Sequence, residues 1–345
     1  MTKCYKSIDA LKDLDFSKTL FLTRSHVNYD IPVGVEVIKY TGKALPLEDI
    51  QSIYDSIKNR DVVNIVAIGG GTIIDIAKII ALSLSNKIMD LSELLNVENN
   101  LENIINLIAV PTTCGSGSEA THFAVVYKNE KKYSIARKSI LPGTVILDAK
   151  LLETLPKTIR NSSVLDALAQ GIESLWSKNA THESSAFAKE SIEYIVKGLE
   201  EKDFEKQLYL FQYGSYLAGK AINISKTTIC HAISYYLTAR HGVPHGVAVF
   251  LTIPSVAKMN YCYKTKDVFE FYFNIFDVSD IVSLKNKLES ILAQLGYSRK
   301  LKDYGLTRDE IGLIAEQSLT SGRSDNNPVS VDMQMITNIL ERIFV

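Results

Sequence analysis

Residues 61–85 read DVVNIVAIGGGTIIDIAKIIALSLS, and this stretch decides the fold class. An apolar run through Ile68 meets Gly69, Gly70 and Gly71, and a helical pattern begins near Thr72. Three glycines let the backbone turn sharply and approach a ligand, and the free amides of a helix start favour a phosphate or pyrophosphate. Thr72 is expected to cap the helix, with Asp75 three residues later in a capping-box-like arrangement. A bare strand-to-helix turn accounts for the same letters, and the pattern is not GxGxxG, so a nucleotide site needs further support.

Outward from this stretch the texture repeats. KTLFLTR (18–24) and VEVIKYT (35–41) precede it and NIINLIAVP (103–111) follows, with amphipathic segments between several of the runs. That alternation predicts a parallel sheet flanked by helices. Between 122 and 148, HFAVVYKN, KKYSIAR and TVILD are separated by the turn-like NEKK and LPG, which reads as an antiparallel excursion. Beyond Pro156 strand signals fade, and SVLDALAQGIESLWS, AKESIEYIVKGLEE and VSLKNKLESILAQLG carry helical periodicity. The expected organisation is an α/β Rossmann-like domain over 1–156 and an all-helical domain over 157–345, packed closely with a cleft between them.

The chain's 345 residues suit two domains, and a formal charge of −1 offers no general attraction to nucleic acid or anionic membrane. Cys4, Cys114, Cys230 and Cys262 lack CxxC spacing, which argues against a zinc ribbon, a redox pair or a secreted disulfide framework. The opening MTKCYKSIDALKDLD has no apolar signal core and no long uncharged apolar run follows, so a cytoplasmic location is expected.

Two further constellations carry chemistry. In AVPTTCGSGSEATHFAVVY (109–127), Thr112, Thr113 and Ser116 stand among flexible glycines at a strand end, a composition that suits ribose, phosphate or carboxamide, or simply a polar loop. In the helical half, Asp166 and Gln170 are spaced i, i+4, so both point to one spot. His231 and His245, from separate segments, can complete a divalent-metal site there. Buried, hydrogen-bonded side chains without a metal are the competing reading.

GGGTIIDIAK, PTTCGSGSEAT, LDALAQGIES, HAISYYL and VPHGVAVFLTIP resemble the iron-containing alcohol dehydrogenase family, in that family's order. TVILDAKLLETLP and the NNP at 326–328 extend the resemblance over nearly the whole chain. It implies a dehydroquinate synthase-like architecture: a dinucleotide-binding α/β domain and an all-α metal-binding domain. The activity it implies is NADPH- or NADH-dependent, metal-assisted reduction of an aldehyde to a primary alcohol. The metal would be held by Asp166, Gln170, His231 and His245, with Fe2+ foremost and Zn2+ or Mn2+ as alternatives. Gln170 replaces a family histidine; its carbonyl oxygen keeps the site's charge and shifts its preference toward harder ions.

The cofactor set implied by resemblance is Gly70, Gly71, Thr72, Asp75, Thr112, Thr113, Ser116 and Lys132. Arg24 follows Thr23 where many NAD-using relatives carry an acid, which favours NADPH through its 2′-phosphate. Tyr235 replaces the second histidine of the family's HxxxH pair and is expected to line the substrate pocket, with His241 and His122 as alternative groups near the reaction. GSEATHFAVVY and KKYSIAR look most like phosphonoacetaldehyde reductases, so the expected substrate is a small anionic aldehyde, phosphonoacetaldehyde, reduced to 2-hydroxyethylphosphonate. His122, Arg137 and Arg240 are the basic residues considered for the anion. A homodimer is the assembly the resemblance implies. The competing readings are a general alcohol dehydrogenase, a dehydroquinate synthase-like lyase and a catalytically impaired cofactor-binding relative.

Overall fold

The structure is a computed structural model describing residues 2–24, 29–42, 45–95, 101–129, 131–261, 266–319 and 322–345. Residues 25–27 of the KTLFLTRSHV stretch, Glu130 of the NEKK turn and Cys262 lie outside the described residues. The chain divides into two compact units, Met1–Leu155 and Pro156–Val345.

In the first unit the strands are β1 (Lys3–Tyr5), β2 (Thr19–Thr23), β3 (Glu36–Lys39), β4 (Asn64–Gly69), β5 (Asn106–Pro111), β6 (Phe123–Lys128), β7 (Lys131–Ala136) and β8 (Thr144–Ile146). Helix α1 (Leu47–Ile57) precedes β4 and α2 (Gly71–Asn86) follows it. Six strands form a sheet in the order β1-β8-β5-β4-β2-β3, with every pairing parallel. Ile65, Val66, Ala67 and Ile68 are all fully buried. Both faces of β4 are therefore covered, which is why it reads as an unbroken apolar run rather than an alternation. Ile73, Ile76, Ala77 and Ile80 of α2 join Leu20, Leu22 and Leu107 in the same core.

The antiparallel reading of 122–148 holds for β6 and β7, which pair from Phe123↔Ala136 to Lys128↔Lys131. It fails for TVILD: β8 returns to the main sheet, parallel between β5 and β1. Its partner β1 was left unassigned by sequence reasoning because three exposed residues, Lys3–Tyr5, carry no periodic signal. From β2 the chain steps outward to β3 and then back across to β4, so the winding reverses between β2 and β4. Ligands of open parallel sheets bind outside the carboxyl ends of the strands at such a reversal.

The second unit consists of α3 (Lys157–Trp176), α4 (His182–Glu200), α5 (Phe204–Ser225), α6 (Ile229–His241), α7 (His245–Phe250), α8 (Ile253–Asn260), α9 (Lys266–Ile275), α10 (Ile281–Gln294), α11 (Glu310–Ser318) and α12 (Met333–Phe344). Helix α3 packs against α4, α5 and α7, and nearly every residue from Asn161 to Trp176 is buried. A helix covered on all sides is normally apolar throughout, so polar groups along it need a reason to be there. No described helix is long and apolar enough to cross a membrane.

Candidate active site

The Gly70 and Gly71 turn sits at the carboxyl end of β4, where α2 begins. Gly70 has an ordinary φ of −76°, so it is not there for a left-handed backbone. A Cβ on Gly71 would stand 2.7 Å from Ser116 Oγ, and one on Gly70 would stand 3.0 Å from the Thr113 methyl. Glycine is needed because the loop after β5 lies against the first turn of α2. Thr112 N–H donates to the Gly69 carbonyl at 3.1 Å, tying the two strand ends together. The structure thus gathers Gly70, Gly71, Thr72, Thr113 and Ser116 around amides at a helix start that suit an anion.

The capping expectation is corrected. Gly70 is the N-cap and makes no side-chain cap bond, while Thr72 lies inside the first turn. Asp75 reaches across instead, accepting from Ser118 Oγ at 2.5 Å and from the Val125 amide at 2.9 Å. It pins the post-β5 loop and β6 to α2, and Lys132 acts on it through charge. Beneath lies Lys78, fully buried, whose ammonium donates to Ser118 Oγ, Thr121 Oγ1 and the Phe123 carbonyl at 3.0, 3.2 and 2.8 Å. Burial pulls this lysine down to about 8. Burial also pushes the Glu119 carboxyl up to about 7. Sequence reasoning assigned no role to either residue.

Arg24 follows β2 at the winding reversal and is exposed, its guanidinium donating to the Gly42 carbonyl at 3.1 Å. His122 immediately precedes β6 in the same unit, with its carbonyl accepting from the Arg137 amide at 2.8 Å. The Arg137 guanidinium reaches the Leu94 carbonyl at 3.5 Å.

In the helical unit Asp166, Gln170 and Glu173 recur along one face of α3, and α6 and α7 bring histidines to it. Nε2 of His231 stands 3.4 Å and Nε2 of His245 3.9 Å from Asp166 Oδ1. One ligand atom from each of the three residues lies within 4.8 Å of the others. His245 is set by Pro244, the N-cap of α7, and by Gly246 behind it. A Cβ on Gly246 would stand 1.9 Å from the Ser162 carbonyl oxygen, so only glycine lets α7 lie against α3 this closely.

Glu173, which sequence reasoning missed, explains the orientation of His231. One carboxylate oxygen contacts His231 Nδ1. The other accepts from the Thr228 amide (3.1 Å), Thr228 Oγ1 (2.6 Å) and the Cys230 amide (3.1 Å). With Nδ1–H committed to Glu173, neutral His231 turns the Nε2 lone pair toward Asp166. Asp166 Oδ1 is buried and makes no hydrogen bond. Two lone pairs this close require a proton or a cation between them.

In the metal-free chain the proton takes that role. Burial would lower His231, but Glu173 and Asp166 on either side push it up to about 9. Burial would raise Asp166, yet His245, His231 and the Gln170 amide bonded to it hold its carboxyl below the usual range. Atoms about 2.1 Å from one ion stand roughly 3 to 3.5 Å apart, a spacing that the His231–Asp166 pair has at 3.4 Å and that His245, at 3.9 Å from Asp166, would reach by a small inward shift. Gln170 is buried one turn along from Asp166.

Tyr235 lies parallel to His245, ring centroids 6.3 Å apart at 3°. His241 is not part of the cluster: its Nε2 pairs with Glu310 Oε1 at 2.8 Å. Ten residues separate it from His231, roughly 15 Å along a helix. Arg240, in the same last turn, is exposed.

A helix start that suits a phosphate in the first unit, and in the second a carboxylate–imidazole cluster able to hold a divalent ion, are the features expected of a metal-assisted nicotinamide oxidoreductase. Iron-containing alcohol dehydrogenase matches residues 24–149, and the C-terminal domain of the Fe-containing alcohol dehydrogenase family matches 161–344. The chain belongs to this family of metal-dependent, NAD(P)-linked enzymes.

Among its relatives are the phosphonoacetaldehyde reductase of Streptomyces viridochromogenes, 28% identical over 80% of this chain and 74% of the relative. The 4-hydroxybutyrate dehydrogenase of Clostridium kluyveri is 29% identical over 86% of this chain and 83% of its own. The sulfoacetaldehyde reductase of Bifidobacterium kashiwanohense, solved with NAD+, superposes with a TM-score of 0.89 at 24% identity, covering 99% of this chain and 96% of its own.

Proposed function

We propose that the protein reduces a small aldehyde bearing an anionic head group, with NADPH as the preferred reductant and phosphonoacetaldehyde as the leading substrate, giving 2-hydroxyethylphosphonate. The observation that carries the reading is the Asp166–His231–His245 cluster with Glu173 behind His231. Asp166, His231 and His245, with Gln170 as a fourth donor, would hold a divalent ion that would supply Lewis acidity toward the carbonyl, and bound NADPH would supply the hydride. Glu173 keeps His231 in the tautomer that can bind, and Asp166 contributes the charge that neutralises half of the ion's own. The aldehyde gains a hydride and one proton, and NADPH leaves as NADP+.

The anionic substrate is supported by GSEATHFAVVY and KKYSIAR and by two relatives whose names specify phosphonate- and carboxylate-bearing substrates. NADPH is supported by Arg24, whose guanidinium stands after β2 at the winding reversal, where a carboxylate would repel a 2′-phosphate.

The test is an aldehyde panel assayed with both reduced cofactors and with added Fe2+, Zn2+ or Mn2+, beside Arg24→Asp. NADPH should be consumed stoichiometrically, with phosphonoacetaldehyde at least about a hundredfold ahead of propanal and butanal in kcat/KM. Arg24→Asp should lose on the order of 1 to 3 kcal/mol toward NADPH. Equal turnover of the uncharged aldehydes would reduce the enzyme to a general alcohol dehydrogenase. Absence of net cofactor consumption would point to lyase chemistry or lost catalysis.

A further inference from the structure

We propose that Arg323 reads the anionic head group of the substrate, an assignment that rests on the anionic-aldehyde reading above. Arg323 precedes the 3-10 turn Ser324–Asn326 and is half-buried. Its guanidinium carbon stands 4.6 Å from the centre of the Tyr235 ring, and Tyr235 in turn lies parallel to His245. The His245 imidazole and the Arg323 guanidinium are therefore both neighbours of the Tyr235 ring, with the guanidinium no farther than about 11 Å from the His245 ring.

The mount is rigid. Asn326 Nδ2 donates to the Ser225 and Thr227 carbonyls at 2.9 and 3.0 Å, and Asn327 and Asn260 bond each other through both amides at 2.9 and 3.1 Å. Thr227 leads directly into Thr228, which donates to Glu173. The turn that carries Arg323 is thus tied to the same backbone that orients His231.

Ion pairs among the described residues engage Arg60, Arg299 and Arg308, but not Arg323. A guanidinium lying over an aromatic face keeps its N–H edge for a planar or tetrahedral oxyanion. A carbonyl bound beside His245 with an anionic group two or three bonds away spans about 5 Å, and hydrogen bonds of about 3 Å at either end bring the reach to roughly 11 Å, equal to the upper limit that the two ring distances set on this separation. Among the basic residues considered from sequence, Arg240 is exposed at the end of α6 and Arg137 is directed to the Leu94 carbonyl. Arg323, which was not among the residues considered from sequence, stands over the Tyr235 ring.

The experiment compares the metal-loaded parent with Arg323→Met and Arg323→Lys, measuring kcat/KM on phosphonoacetaldehyde and on propanal, and the calorimetric affinity for 2-hydroxyethylphosphonate. Arg323→Met should lose about a hundredfold on phosphonoacetaldehyde and a similar factor in phosphonate affinity, with propanal unchanged. Arg323→Lys should recover part of both, because a point charge replaces the fork. A parent preference for the anion that survives in Arg323→Met overturns the role of Arg323. So does a parallel loss on both aldehydes without weaker phosphonate binding, which would mark a structural arginine. A parent that turns over propanal as well as phosphonoacetaldehyde overturns the substrate reading itself.

Discussion

Glu173 illustrates how one buried side chain sets the chemistry of another. Burial would raise its carboxyl, but His231 and the donors from Thr228 hold it below the usual range, so it stays ionised behind the imidazole. Because metal must displace the proton that His231 holds up to about 9, metal affinity in the parent should climb roughly tenfold per pH unit and level off near that value. In Glu173→Gln the levelling-off should move to lower pH. Above pH 9 the variant should bind the ion on the order of 10 to 100 times more weakly, as expected when a ligand's supporting carboxylate is lost. Competition titrations against a chelator across pH read both effects. Superimposable curves for the two proteins would show that Glu173 does not act through His231.

At the scale of elements, α2 and the loop after β5 are joined by a buried ionic cluster rather than by apolar packing alone. Asp75, Lys78 and Glu119 are drawn together there, and Lys78 lies between the helix and three acceptors of the loop. Glu119 has its carboxyl raised by burial from 4.5 to about 7. A group raised in the folded state lends stability that is fully present below its unfolded pKa and lost as pH rises through the folded one. From pH 4.5 to about 7 the parent should therefore lose on the order of 3 kcal/mol through this residue. Glu119→Gln removes that loss. Denaturant unfolding should find the variant more stable than the parent at pH 8 and equal to it at pH 4.5; a constant difference across this range would rule the mechanism out. The element scale is also where sequence reading failed on β8, since pairing partners are chosen by what lies beside a strand and not by its own letters.

For the molecule as a whole, a metal bound only by the folded state adds stability by mass action, about 2.7 kcal/mol at a hundredfold excess over Kd. Calorimetry should show a higher Tm with saturating Zn2+ than with chelator, and His245→Ala should lose most of that increment while keeping its metal-free Tm. A Tm indifferent to metal in the parent would mean that the cluster does not hold an ion. The two-part organisation was legible from letters alone, because strand runs and helical periodicities are local properties of the chain. So was the gathering of Gly70, Gly71, Thr113 and Ser116, since glycines and hydroxyls after successive parallel strands emerge at one sheet edge. The approach of His231 and His245 to Asp166 was legible too, by spacing and by resemblance. Glu173 was within reach: it follows Gln170 by three residues on the same helix face, but a glutamate in a helix ordinarily faces water. Arg323 was not within reach, because nothing local relates position 323 to Tyr235 or His245. The removal of His241 to Glu310, the reach of Asp75 to Ser118 and the placing of a guanidinium over Tyr235 were decided by tertiary structure alone. A side chain's partner depends on which distant backbone packs against it, and Gly246 shows the reason, since a single missing methyl group is what lets α7 bring His245 to Asp166.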